Sequence, residues 1–509
     1  MKKIVLILIS SLFIITACNK DFGDKNVNPN GASEINPASM LSGAVMRFGT
    51  LTGREYLAKP VLYVQYMSQV TYTDEMLYNE APSTWYRYYI QTLSNLQTII
   101  NAANDAENWP ADYNAFGARE NQLGVAMIMK AVIFKQVTDA FGNVPYSEAL
   151  NEEISTPAYD SQEKIYKSLI EDVKTARDMM DASKAGPTGD PIYLGDVTKW
   201  KKFANSFLLT LTLQLSKQYP GAADYAATEF KKAVVNGAQN GAILEVADEA
   251  WFSYDPAHFY NNPWNAMRPT DYFLAKEFTD ALHGYPMVTP KPDNLDMADT
   301  VSVNPTSNTT PDARRLIYMD EPDADGVPYG YEGGSGAGKA SMSGLIWGTD
   351  PQLPLMTSAY TLLNIAEGMA LGWIDETMTG YPVQDIIYGA ILNSYQSLSE
   401  HYGVDITAEA PAYAGARLVD LGTYGATQII AEEKWFALFP KGFEAWAEWR
   451  RTGFPTLTPA KDYQNNGQIA RRLVYPSEEA GLNPNGYEQG KQGLTPQTDN
   501  NTSKVWWDK

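Results

Sequence analysis

The stretch YDSQEKIYKSLIEDVKTA, residues 159–176, decides the fold class. Asp160 offers a helix cap with Glu163 three residues on, and Ile165, Leu169, Val173, Ala176 and Met180 then recur at helical spacing. The same stripe appears upstream as Leu123, Met127, Ala131 and Phe134. It returns downstream as Trp200, Phe203, Phe207, Leu211 and Leu215, and again as Leu362, Ile365, Met369 and Trp373. Strand-like alternation is scarce. Helices in succession with short Gly, Pro and Asn breaks predict a mainly α chain of stacked helical pairs, although no 34-residue self-repeat is evident. Residues 248–271 and 284–355 break the pattern, being crowded with Gly, Pro, Asn, Asp and aromatic residues. Loops that long in a folded protein are functional or disordered, and Trp251, Tyr254, Phe259, Tyr260, Trp264, Tyr329, Tyr331 and Trp347 argue against disorder.

Composition narrows the function classes. The 509 residues carry 39 Lys and Arg against 60 Asp and Glu, a formal charge of −21 that is opposite to what phosphate binding requires, so nucleic acid is excluded as a partner. A single cysteine excludes an internal disulfide and a thiolate zinc site. Its position is informative. Lys2 and Lys3 precede an apolar run, Ile4 to Ala17, too short to span a bilayer and suited to an export signal. The run ends in Ile15-Thr16-Ala17-Cys18, a pattern similar to a bacterial lipobox. Residues 1–17 are therefore expected to be a lipoprotein signal peptide, Cys18 the lipidation site, and the polar residues 18–37 a tether. Cleavage removes two lysines and deepens the acid surplus.

Familiar catalytic motifs fail on inspection. Gly333-Gly-Ser-Gly-Ala-Gly338-Lys339 mimics a phosphate-binding loop, but Ala340 occupies the position where Ser or Thr must meet magnesium. Ser335 only approximates a nucleophile elbow, with no strand before it. His258, His283 and His401 are too dispersed for a metal pair. Glu321-Pro-Asp323-Ala-Asp325-Gly326 with Glu332 at position twelve follows the oxygen-ligand spacing of a calcium loop. Glu at position one, Pro322 and Pro328 depart from that pattern, so an acidic Pro/Gly turn is the simpler reading. Calcium is the one cofactor left open.

Seven ordered segments resemble the SusD/RagB family, specifically its SusD-like group. They are DFGDKNVNPN (21–30), TDAFGNVPYSEAL (138–150), the opening stretch (159–176), GDVTKWKKFANSFLLTLTLQLS (195–216), TSAYTLLNIAEGMALGW (357–373), GFEAWAEWRRTGFPTL (442–457) and RRLVYPSEEAGLNPN (471–485). The resemblance implies a single body over 38–509 built on a TPR-like helical-pair scaffold, an α/α superhelix. Mainly TPR-like helices are expected over 38–247, a loop-rich ligand region over 248–355, and helices with C-terminal loops over 356–509. It also implies a lipid-anchored outer-membrane protein, facing the cell exterior, that captures an oligosaccharide or peptide and delivers it to a SusC-like TonB-dependent transporter. Most of the shared motifs read as scaffold: Gly142 and Pro145 end and redirect a helix, and Arg450, Arg451, Arg471 and Arg472 suit pairing with nearby acids, anion binding being the alternative.

The family's ligand contacts do not transfer by motif, so the site residues rest on chemistry. Sugar recognition needs aromatic platforms beside amides and carboxylates. Tyr260-Asn261-Asn262-Pro263-Trp264, with Trp251 nearby, supplies both in a few residues. Tyr72, Asp74, Tyr78 and Asn79 form a second cluster. Packing beneath a loop is the rival role for each ring. A glycan is the expected cargo, with a peptide or protein fragment as alternative. A glycoside hydrolase remains open because catalytic carboxylates carry no sequence signature; otherwise no enzymatic activity is expected.

Overall fold

The computed structural model describes residues 36–288, 291–292 and 301–508; the expected signal segment, Cys18 and tether residues up to 35 lie outside the described residues. Among its helices are α1 (Pro37–Gly49), α2 (Ser94–Asn104), α3 (Arg119–Phe141), α4 (Gln162–Met179), α5 (Val197–Gln214), α6 (Tyr225–Asn240), α7 (Lys276–His283), α8 (Ser358–Ala370), α9 (Val383–Tyr402), α10 (Ala410–Tyr424), α11 (Ala426–Ala437) and α12 (Gly442–Thr452). Successive helices pack on one another from α1 through α6. The α5 helix then meets α8, and α8 to α12 continue the stack. This is the expected TPR-like succession of helical pairs.

The opening stretch folds as its pattern predicts, with the cap shifted by one residue. Ser161 caps α4 by accepting the Lys164 N–H, while Asp160 accepts the Ser147 N–H at 2.6 Å and the Lys164 ammonium at 2.5 Å. Ile165, Leu169, Val173 and Ala176 are buried against α3. The α3 helix itself departs from the single stripe read in the sequence. It lies between α2, α4 and α12, so Asn121, Gln122, Lys135, Thr138 and Asp139 are buried alongside its apolar residues. Most of these side chains find partners, although the Gln122 Oε1 has none. Asn121, for example, donates to the backbone carbonyls of Asp181 and Ala185 at 3.0 Å. Gly142 ends α3 at φ 98°, and Pro145 leads the chain into a short antiparallel pair, β2 (Val144–Pro145) with β3 (Tyr159–Asp160).

Two other two-stranded pairs frame the irregular part. These are β1 (Met67–Gln69) with β5 (Tyr272–Leu274), and β4 (Ala250–Phe252) with β6 (Leu353–Met356). The first ties the irregular segment to residues 67–69 of the N-terminal part, and the second joins the segment's own two ends. Among the described residues no helix is long and apolar enough to cross a membrane.

Most of the arginines singled out in the sequence pair with acids. Arg451 forks onto Glu367 and Glu448, Arg471 pairs with Asp508, and Arg472 pairs with Asp499. Arg450 departs from the expectation. Its guanidinium lies between the Trp446 and Trp507 rings, 3.9 and 4.6 Å from their centroids, and donates to the carbonyls of Asp139 and Arg471. Burial lowers its pKa to about 10.

At the start of α12, Gly442 passes so close to the short helix Lys59–Tyr63 that a Cβ there would sit 2.6 Å from the Val61 backbone nitrogen. Backbone cannot yield as a flexible side chain does. Gly442→Ala is therefore expected to cost about 1–3 kcal/mol, read as a lowered urea midpoint with unchanged slope.

Candidate ligand-binding face

The cluster around Tyr72 is assembled by loops distant in sequence. After β1, residues 70–79 make a tight turn in which Leu77 N–H donates to Thr73 O and Asn79 N–H to Asp74 O. Its base is fixed by Gln69, which donates to Glu75 at 2.9 Å and accepts from the Met76 N–H, and by the Arg54–Glu75 ion pair at 2.9 Å. Tyr72 stands out from this turn, 60% exposed, with a left-handed backbone at φ 53°. A non-glycine residue there is strained, a condition that clusters at functional sites.

The loop 460–467 closes on the turn. Gln464 donates to Asp74 Oδ1 at 2.9 Å, accepts from the Asn79 amide at 3.2 Å, and its backbone N–H reaches Leu77 O at 2.7 Å. Beside it Tyr463 is 51% exposed, its ring lying over Gly467, where a Cβ would meet the ring at 3.0 Å. A third loop joins through Asp462, which accepts the Glu332 N–H at 2.7 Å, and through Gly330 O, which accepts the N–H groups of Lys461 and Asp462. Here the Tyr331 ring carries the Lys291 and Lys461 ammonium groups 4.6 and 5.3 Å from its centroid. The product is a solvent-facing cluster of tyrosines interleaved with Asp74, Asn79, Glu332, Asp462 and Gln464.

Tyr78 belongs to the interior, contrary to the sequence reading. Its left-handed backbone turns the ring inward against Tyr63 and Tyr329, and its hydroxyl accepts the Ala460 N–H at 2.9 Å. Sequence reasoning missed Tyr463 and Gln464. The run Tyr463-Gln464-Asn465-Asn466 carries the same aromatic-plus-amide pattern as Tyr260-Asn261-Asn262, so the signal was present.

The second predicted cluster divides. Asp255 and Tyr260 pair as the neck of a tight hairpin whose tip, Phe259, is 87% exposed with φ 65°. Tyr260 is half-buried with the Arg47 guanidinium 6.0 Å from its ring centroid, and Asn261 is exposed. Asn262 and Trp264, in contrast, are wholly buried. Asn262 caps the turn Pro263–Ala266 and donates to the carbonyls of Ile346 and Gly348, while the Trp264 ring packs 5.3 Å from that of Trp347. Trp251 is also a packing group: its indole N–H reaches Glu249 at 2.9 Å and its face stacks on His401 at 3.7 Å. These three residues are corrected from ligand contacts to supports. The rings Trp264, Trp347 and Tyr272 run in sequence behind the face, and Tyr272 pairs with Gln69 at the base of the first loop.

The acids of 321–332 do not converge. Glu321 accepts from Ser341, Asp323 faces Arg315 at 3.8 Å, Asp325 faces Lys276 at 3.9 Å, and Glu332 lies on the 330–332 loop beside Asp462. The calcium-loop spacing is thus carried by an acidic Pro/Gly turn. Among the described residues, the metal-capable groups whose ligand atoms lie together are Asp280, His283 and Asp325. Lys276, 2.8 Å from Asp280, already supplies a cation there.

Burial against Trp251 lowers the His401 pKa to about 4. A histidine ordinarily titrates near 6.5, so the unfolded chain binds the proton first, and this group's stabilising contribution is lost as pH falls from about 6.5 to about 4. Asp280 acts oppositely, because burial raises its pKa to about 6 and protonation there favours the folded state. His401→Phe is expected to flatten the acid side of the melting-temperature profile relative to wild type. Parallel profiles would refute that assignment.

Solved structures share this architecture. A chitin-binding protein superimposes with TM-score 0.74 at 23% identity, covering 93% of this chain and 100% of its own. A SusD homologue from Bacteroides fragilis gives 0.72 at 20% identity, covering 94% and 100%. A chitin-binding SusD homologue from Flavobacterium johnsoniae gives 0.65 at 21% identity, covering 92% and 98%. No curated protein sequence matches. The model of the SusD-like family, described as starch-binding and associating with the outer membrane, matches residues 29–476, and the chain belongs to that family.

Proposed function

We propose that this protein captures oligosaccharides at the cell surface and delivers them, without cleaving them, to a partner TonB-dependent outer-membrane transporter. The observation that carries this reading is the joining of Tyr72, Asp74 and Asn79 to Tyr463 and Gln464 across 390 residues of sequence by the Gln464–Asp74 hydrogen bond. Exposed rings offer platforms for the C–H faces of sugars, and the amides and carboxylates around them suit hydroxyls. Family membership and two chitin-binding structural relatives support a glycan over a peptide. The lipobox-like Ile15-Thr16-Ala17-Cys18 supports anchoring at the outer membrane, and the acid surplus favours neutral over anionic polymers.

Sedimentation with insoluble chitin, starch and cellulose, followed by assay of released sugar, tests the reading. Retention on one of them with no soluble product is expected. Retention on none, or steady release of product, would refute capture without turnover. Co-purification of the native lipoprotein with a TonB-dependent barrel tests the delivery step.

A further inference from the structure

The loops of the ligand-binding face carry charge of one sign. Across residues 70–80, 330–333 and 460–467 the sequence places Asp74, Glu75, Glu80, Glu332 and Asp462 against one base, Lys461. Glu75 is buried and neutralised by Arg54 at 2.9 Å. The other four acids are exposed, as are the Tyr72 and Tyr463 rings among them. Lys291, which shares the Tyr331 ring with Lys461, is held by Glu277 at 3.0 Å and so offsets none of the four. Building on the glycan-capture reading, we propose that this face takes a cationic glycan, an oligosaccharide of 2-amino-2-deoxy sugars whose amines are protonated.

The placing of the acids supports this as much as their number. Asp462 accepts the Glu332 backbone N–H at 2.7 Å, which sets these two residues side by side. Asp74 lies across the Gln464 hydrogen bond from them. Glu80 accepts the Asn501 N–H at 3.2 Å, and Asn501 in turn accepts from Asn465 of the same loop as Asp462. The four acids are thus strung along joined loops. None of them belongs to the group whose ligand atoms converge among the described residues, Asp280, His283 and Asp325. A single divalent ion needs converging oxygens, whereas a row of carboxylates between rings matches a chain bearing one amine on each sugar ring.

The rings add to the same preference, because the face of a tyrosine attracts a cation. A protonated amino sugar gains from carboxylate and ring together. A neutral sugar keeps only stacking and hydrogen bonds, and an anionic one is repelled.

Glucosamine, N-acetylglucosamine and maltose oligomers of equal length separate charge from the other terms. In calorimetric titrations at about pH 6 and low salt, the carboxylates are ionised and the glucosamine amines protonated. The glucosamine oligomer is then expected to bind about fivefold or more tighter than its acetylated counterpart. That advantage should shrink as salt is raised, and disappear as alkaline pH removes the ligand's protons while the carboxylates stay ionised. Glu332→Gln with Asp462→Asn should reduce the ratio of the two affinities by about twofold or more. Should that variant fail to fold, the salt and pH dependence of the ratio on the wild-type protein still decides. Equal affinity for the two series would overturn the inference and leave glycan capture standing, whereas binding of no oligosaccharide would overturn both. Glucosamine binding that persists undiminished in Tyr72→Ala with Tyr463→Ala, or that oligolysine of equal charge matches, would report general attraction to an acidic surface and overturn the inference as well.

Discussion

Arg314→Leu is expected to destabilise the protein by about 3–5 kcal/mol, the cost of stranding a buried carboxylate. Arg314 is fully buried and grips Asp312 through Nε at 2.8 Å and Glu433 through Nη2 at 2.9 Å. Its Nη2 also reaches the Tyr413 hydroxyl, and the guanidinium lies 5.1 Å from the Phe436 ring centroid. Arg417 completes the network on Glu433, Glu432 and Asp420, and Ser307 donates to Glu432. One strap, residues 307–314, is thereby locked onto α9, α10 and α11, holding the irregular segment to the scaffold. Leucine would leave Asp312 with the Tyr395 hydroxyl but no cation. Arg314→Leu with Asp312→Asn should recover much of the loss. Urea unfolding of the wild-type protein and the two variants at pH 7 checks both statements; a loss under about 1 kcal/mol would show that the strap is held otherwise.

The second large effect concerns ligand affinity. Tyr72→Ala combined with Tyr463→Ala removes two exposed rings, each contributing about 0.5–1.5 kcal/mol to stacking, and should weaken glycan binding by about 5- to 150-fold. The melting temperature should move little, because both rings are more than half exposed. Trp264→Ala is the contrasting case, since it empties a buried position and should lower stability by about 3–5 kcal/mol. A loss of glycan binding in that variant would report unfolding of the support.

Much of the scaffold was legible because helical periodicity is local. The α4 helix shows its cap and its stripe within its own span, and Gly142 marks the end of α3 just as locally. The burial of α3 on all sides was not legible, because it depends on α12 arriving from 300 residues away. At the site the difficulty was of another kind. Trp264 and Phe259 sit five residues apart with similar composition around them, yet one is enclosed by Trp347 and the other faces solvent. No local pattern distinguishes an enclosed ring from a presented one; the left-handed backbones of Tyr72 and Phe259 do so only in three dimensions. Tyr78, also left-handed, turned inward because Ala460 and Tyr329 meet it there.

Calorimetric titration of the folded wild-type protein and the Tyr72→Ala, Tyr463→Ala variant with soluble chito- and malto-oligosaccharides tests the central claim most directly. Saturable binding to one series, weakened in the variant and with the oligosaccharide recovered intact, is the predicted result. Binding unchanged in the variant, binding of neither series, or a shortened oligosaccharide would contradict it.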